Sequence, residues 1–328
     1  MRVGNSNNQT NFKGCLSNKY LLRSLETVAN HGGSFTAVTS FAMSFGLRPM
    51  AIKATPGVDK ENKQYASISS QASALMKLAV VESVALPVEM AIKRIDKSAG
   101  KYLTPETINL LKGGEETLLK SSAYRLSTQI LKLGTGFLTA IPKSMLTVAL
   151  IPVLMDKLYK NKELHKTELT KKNLTFTSNE AVSKGIAKLL NNKKYQEFVI
   201  MHKNIESDIA KHMSASTDIL LSSSYAVNTL NSKKIKEEQK RPLVYNSLIG
   251  TAITLLLGYP ADSFLKKASL PLVERFITAN ENSTKLAKYL EGINIIRPAL
   301  IFASIYYVAL PMLSTFLADK TDKFVKYK

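Results

Sequence analysis

Two stretches of this chain stay free of charge for longer than a soluble amphipathic helix tolerates. Residues 242–261 and 298–318 form uncharged runs of 20 and 21 residues. At about 1.5 Å per residue, a helix of ~20 residues matches the ~30 Å hydrocarbon core of a bilayer. A soluble helix instead places a charge on its wet face every few residues. Both runs open on Arg-Pro, at Arg241-Pro242 and Arg297-Pro298, and stop at an Asp followed by lysines. A third stretch, Phe137 to Met155, is apolar except for Lys143 and follows an amphipathic segment that begins at Ser121. With Ile141-Pro142 between them, 121–158 predicts two helices or one kinked helix, long enough for a hairpin of two spans.

Two weaker candidates lie upstream. Residues 27–47 hold no formal charge but are rich in Gly, Ser and Thr. Residues 67–95 show a long helical pattern in which Glu82, Glu89 and Lys93 share one narrow face and Val80, Val81, Val84 and Val88 lie off it. Glu89 and Lys93 are spaced for an i,i+4 ion pair.

The rest is more polar. Residues 157–212 are Lys-rich and predict solvated helices, one of them starting at a Thr177…Glu180 capping box. Thr104-Pro105 followed by Gly113-Gly114 predicts a short helix with an N-cap and a glycine stop. No run of alternating β-branched residues is bounded by turns, so the fold class is all-α. The pattern is that of a polytopic helical membrane bundle of about four to six spans. It divides the chain into a disordered polar tail (1–26), a first helical membrane region (27–158), a Lys-rich cytoplasmic helical insert (159–241) and a second membrane region (242–328).

Charge sharpens this picture. Lys+Arg 45 against Asp+Glu 25 gives a net charge of +20 over 328 residues, which points to an anionic partner or a membrane-adjacent face. Lysine greatly outnumbers arginine, and zinc-finger, RNA-recognition and basic-aromatic motifs are lacking, so anionic lipid head groups are the expected partner and nucleic acid is not. The short loops carry more base on the side that holds both termini, which orients both toward the cytoplasm of a bacterial inner membrane. A single cysteine, Cys15, excludes an intramolecular disulfide and any multi-cysteine metal site.

The candidate chemistry is sparse. An acid placed in lipid is costly, so intramembrane carboxylates line a pathway or pair with a base. Glu82, Glu89 and Lys93 are therefore the candidate polar residues, with Lys93 positioned to neutralise Glu89. The bland alternative is an amphipathic helix whose polar face meets water. The segment Ala29–Phe35, ANHGGSF, has the His-Gly-Gly of some esterase oxyanion holes, but no Gly-x-Ser-x-Gly elbow accompanies it. Gly32-Gly33 is expected to be a flexible entry to the first apolar helix. His202, Glu206, Asp208 and His212 fall on different faces of one predicted, solvated helix and do not converge on a metal. Pro87-Val-Glu89 and Pro260-Ala-Asp262 share a Pro-x-acid-x-x-aliphatic-base-base pattern. Mitochondrial carriers have a related signature, but the displaced base and the missing third copy break the match. No enzyme activity, cofactor or metal is expected.

Asn11–Gly14 (NFKG), Ala29–Phe35, Leu47–Ser67 (LRPMAIKATPGVDKENKQYAS) and Arg241–Asn246 (RPLVYN) resemble multi-helix proteins of non-photosynthetic gut relatives of cyanobacteria. The resemblance implies a bacterial protein with several hydrophobic helices and transfers no activity or site residue. The expected function is membrane-embedded binding or transport of a small solute. The alternatives are a non-enzymatic membrane-organising protein, or a soluble or peripheral basic protein on anionic lipid or nucleic acid.

Overall fold

The computed structural model describes residues 16–55, 60–160, 180–235 and 237–311, and among these every regular element is a helix. In chain order they are α1 (Lys19–Asn30), α2 (Gly32–Ala42), α3 (Arg48–Ala54), α4 (Lys60–Lys97), α5 (Ala99–Tyr102), α6 (Pro105–Lys112), α7 (Ser122–Leu138), α8 (Ala140–Lys160), α9 (Glu180–Leu190), α10 (Lys193–Met201), α11 (Ile209–Asn231), α12 (Glu237–Ala268), α13 (Leu270–Ala279) and α14 (Leu286–Ser304). Five-residue π turns join α2 to α3 at Met43–Leu47 and extend α14 at Ile305–Ala309.

The long helices form one bundle whose directions follow from named contacts. Ser34 of α2 meets Glu82 and Glu89 of α4 while Ser44 meets Ser70, so these helices are antiparallel. Gly134 and Gly136 of α7 face Met213 and Thr217 of α11, and Ser144 of α8 bonds Ser224 and Asn228. The residue numbers rise together, so α11 runs parallel to α7 and α8. In contrast, α12 is antiparallel to both α11 and α14: Lys266 bonds Asp208, Asp262 meets Arg297, and Gly258 packs on Phe302.

Several expectations change. Thr139 does not turn a hairpin. Its N–H donates to the Thr135 carbonyl at 3.1 Å, and its own carbonyl accepts from Lys143 N–H at 3.0 Å. Helical bonding thus continues from α7 into α8, and the two form one kinked run. Residues 19–26 do not belong to a disordered tail. Their apolar positions recur at helical spacing, and α1 buries Leu25, Val28 and Ala29 on the bundle; residues 1–15 lie outside the described set. Nor is all of 159–241 a solvated insert. Its α11 buries Ala210, Ala215, Ser222 and Ala226, and packs between α8 and α12. Small side chains let it approach its neighbours closely, which a count of lysines does not reveal. The Thr177 cap lies outside the described residues, whereas Thr104 caps α6 as expected and Gly113 ends it at φ 59°.

Among the described residues, three runs of helix are long and apolar enough to cross a membrane: Ser122–Leu150, Leu243–Ala268 and Leu286–Ala309. The last begins at Leu286, ahead of the expected start at 298, and the expected 312–318 lie outside the described residues. Pro298 lies inside α14 instead of opening it, because Arg297 is drawn inward onto the fully buried Asp262.

Candidate functional site

The break between α1 and α2 is held by charges from other helices. No acidic residue lies in the first turn of α2, and no basic residue in the last turn of α1. Glu89 of α4 supplies the missing anion. Its Oε1 accepts the Ser34 N–H at 2.8 Å, and its Oε2 lies 2.8 Å from Ser34 Oγ and 3.0 Å from His31 Nδ1. A carboxylate there satisfies a free helix N–H and sits at the positive end of the helix dipole. Lys132 of α7 supplies the missing cation: its Nζ donates to the Ala29 carbonyl at the end of α1 and to Glu291 Oε1 at 2.6 Å.

These contacts relocate the candidate residues. Glu89, 1% exposed, pairs with His31 and Ser34. Lys93 is exposed and the i,i+4 pair does not form, because α2 reaches the carboxylate first. Glu82 is only half-buried, with Oε2 accepting from Ser34 Oγ at 2.9 Å. Gly33 is not a flexible entry: an added Cβ would stand 2.5 Å from the Lys132 carbonyl oxygen, so glycine permits the α2–α7 crossing. The His202–His212 region is not one solvated helix either. A 3₁₀ turn at Lys203–Asp208 separates α10 from α11. Glu206 there holds Arg125 and Gln129, and Asp208 holds Lys211 and Lys266. Among the described residues no group of acids, histidines and cysteines forms a metal site.

Farther along the bundle the pattern reverses. A cavity of about 400 Å³ opens between α2, α4, α8, α11, α12 and α14. Its charged lining residues are Arg48, Lys77, Lys143 and Asp218, and hydroxyl groups from Ser40, Ser214 and Thr217 add to it. None of the four charges has an opposite charge within 4 Å among the described residues, and the buried Nε of Arg48 has no hydrogen-bond partner. The two π turns meet at this cavity. One presents Ser44 and leads into Arg48, and the other presents Tyr306 and Tyr307. Arg48 lies over the Tyr306 ring at 5.7 Å. Single π turns of this kind recur at functional sites because the extra residue re-aims the following side chains.

Arg48, Asp218 and the convergence of charges here were not identified from sequence. Lys143 did stand out, but only as the one charge in the apolar stretch Phe137 to Met155. No family model, no curated protein and no solved structure matches the chain.

Proposed function

We propose that the protein is a membrane-seated helical bundle that holds a small solute in its charge-bearing internal cavity. The observation that carries this is the inverted polarity of the cavity half. Its interior displays Arg48, Lys77, Lys143 and Asp218. Its exterior displays Ile141 and Met145 of α8, Ile219 and Val227 of α11, and Tyr245, Ile249 and Leu256 of α12. An exposed apolar surface of this kind over an interior that holds four charges fits a lipid-facing wall. The flanking lysines fit anionic head groups of a bacterial inner membrane.

A polytopic arrangement of four to six spans draws support from the three long apolar runs. Chain direction weighs against six full crossings. Parallel α7–α8 and α11 begin at the same end of the bundle, so the chain between them must come back. The described helices of this interval, α9 and α10, carry six formal charges between Glu180 and Met201, which hydrocarbon does not accept. We therefore favour a bundle seated in the bilayer through the face made by α8, α11 and α12, with both charged ends on the same side.

Washing membranes with alkaline carbonate tests the seating: the protein stays and needs detergent, and release by carbonate would refute it. In a Cys15→Ser background, single cysteines placed at Ser232, ahead of the Leu243–Ala268 run, and at Ala268, its last residue, test the topology. An impermeant thiol reagent added to one side should reach both. Labelling from opposite sides would restore the polytopic reading.

A further inference from the structure

We infer that the cavity is a binding site for a small organic dianion, carrying two carboxylates or one phosphate monoester. This rests on the solute-cavity reading above and names the class of solute. Elsewhere among the described residues the most buried charges are answered: Lys132 by Glu291, Asp262 by Arg297 and Lys211, Lys288 by Asp96, and Glu89 by hydrogen bonds with Ser34 and His31. A buried charge without a partner is costly, and proteins ordinarily pair it. In the cavity, three cations face one carboxylate, and no ion pair forms between them. Lys77 lies within electrostatic reach of Arg48, Lys143 and Asp218, so these groups share one field. Three positive charges against one negative leave an excess of two, which a dianion neutralises.

The rest of the lining suits the same ligand. Ser40, Ser214 and Thr217 offer hydroxyl donors to anionic oxygens, while Phe302 and Tyr306 cover a short carbon chain. The volume of about 400 Å³ lies within the range of small-molecule sites. Asp218 keeps the empty cavity from holding three uncompensated cations. It also disfavours a ligand with more than two negative charges.

The single natural cysteine makes the test clean. In full-length protein carrying Cys15→Ser and Ser214→Cys, one measures labelling by anionic sulfonatoethyl and cationic trimethylammonioethyl methanethiosulfonate. Each rate is referred to that of a free thiol. The anionic reagent should react at least about tenfold faster. Succinate and inorganic phosphate should slow it, whereas acetate at equal concentration should not. Lys77→Gln and Lys143→Gln should each erase most of the preference. If one of them fails to fold, Arg48→Gln serves in its place, and Asp218→Asn should increase the preference. If neither reagent reaches the introduced thiol, the solute-cavity reading itself falls. If both react equally, or acetate protects as well as succinate, the cavity stands and the dianion assignment is overturned.

Discussion

Lys132 on α7 and Glu291 on α14 stand 159 positions apart in the chain, yet their side chains meet at 2.6 Å, each 1% exposed. The same Nζ also donates to the Ala29 carbonyl at the end of α1. One cation thus ties three helices together at the point where α1 breaks into α2.

Removing one partner of such a pair strands a buried charge. Lys132→Met should lower stability by about 3–5 kcal/mol. Adding Glu291→Met should recover a substantial part of that loss. Thermal unfolding of the purified single and double variants checks the pair; a double variant no more stable than Lys132→Met would contradict it.

Glu82 and Glu89 should separate sharply. Glu89 accepts a backbone N–H and meets His31, so Glu89→Gln should cost about 1–3 kcal/mol. Half-buried Glu82 has one oxygen on the Ser34 hydroxyl and the other without a partner, so Glu82→Gln should cost clearly less than Glu89→Gln. Equal losses in thermal unfolding would show that the two acids act as one unit.

Two glycines predict opposite signs. Gly33→Ala places a methyl group 2.5 Å from the Lys132 carbonyl oxygen and should destabilise the α2–α7 crossing. At exposed Gly185, within α9, an added Cβ meets nothing within 4 Å. Gly185→Ala should therefore gain about 0.5–1 kcal/mol from the better helix former. Melting temperatures of both variants read the contrast directly.

The acid limb of stability should depend on Asp208. Burial pushes its carboxyl up, but the hydrogen bond and charge of Lys266, with Lys211 beside it, outweigh burial and hold it below the ordinary carboxylate range. A group lowered on folding contributes stability that is complete above its unfolded value, near pH ~4. That contribution is lost as pH falls through the lowered folded value. Asp208→Asn should therefore reduce stability at neutral pH and flatten the acid limb. An unchanged limb would rule out this role for Asp208.

Much of the helical framework was legible in local pattern. Thr104, Pro105 and Gly113 delimit α6 as expected, and two of the three long apolar helices include the uncharged runs' cores. The boundaries that differ do so for tertiary reasons. Pro298 reads as a helix start because proline and arginine together resemble a span boundary. In the bundle, Asp262 neutralises Arg297, so the helix continues through both. The Pro-x-acid pattern did mark two of the most buried acids, Glu89 and Asp262, but gave no sign of their partners, His31 and Arg297, which lie far off in the chain.

From sequence alone come the helical class, the positions of the long apolar segments and the excess of positive charge. Each of these is set by periodicity and composition over a few turns. Tertiary structure decided which charges find partners and which are left facing a cavity. Arg48, Lys77, Lys143 and Asp218 sit on four different helices, and no local pattern records that they converge. Pairing depends on distances of a few ångströms between distant parts of the chain, so the candidate site belongs to the packing of the helices.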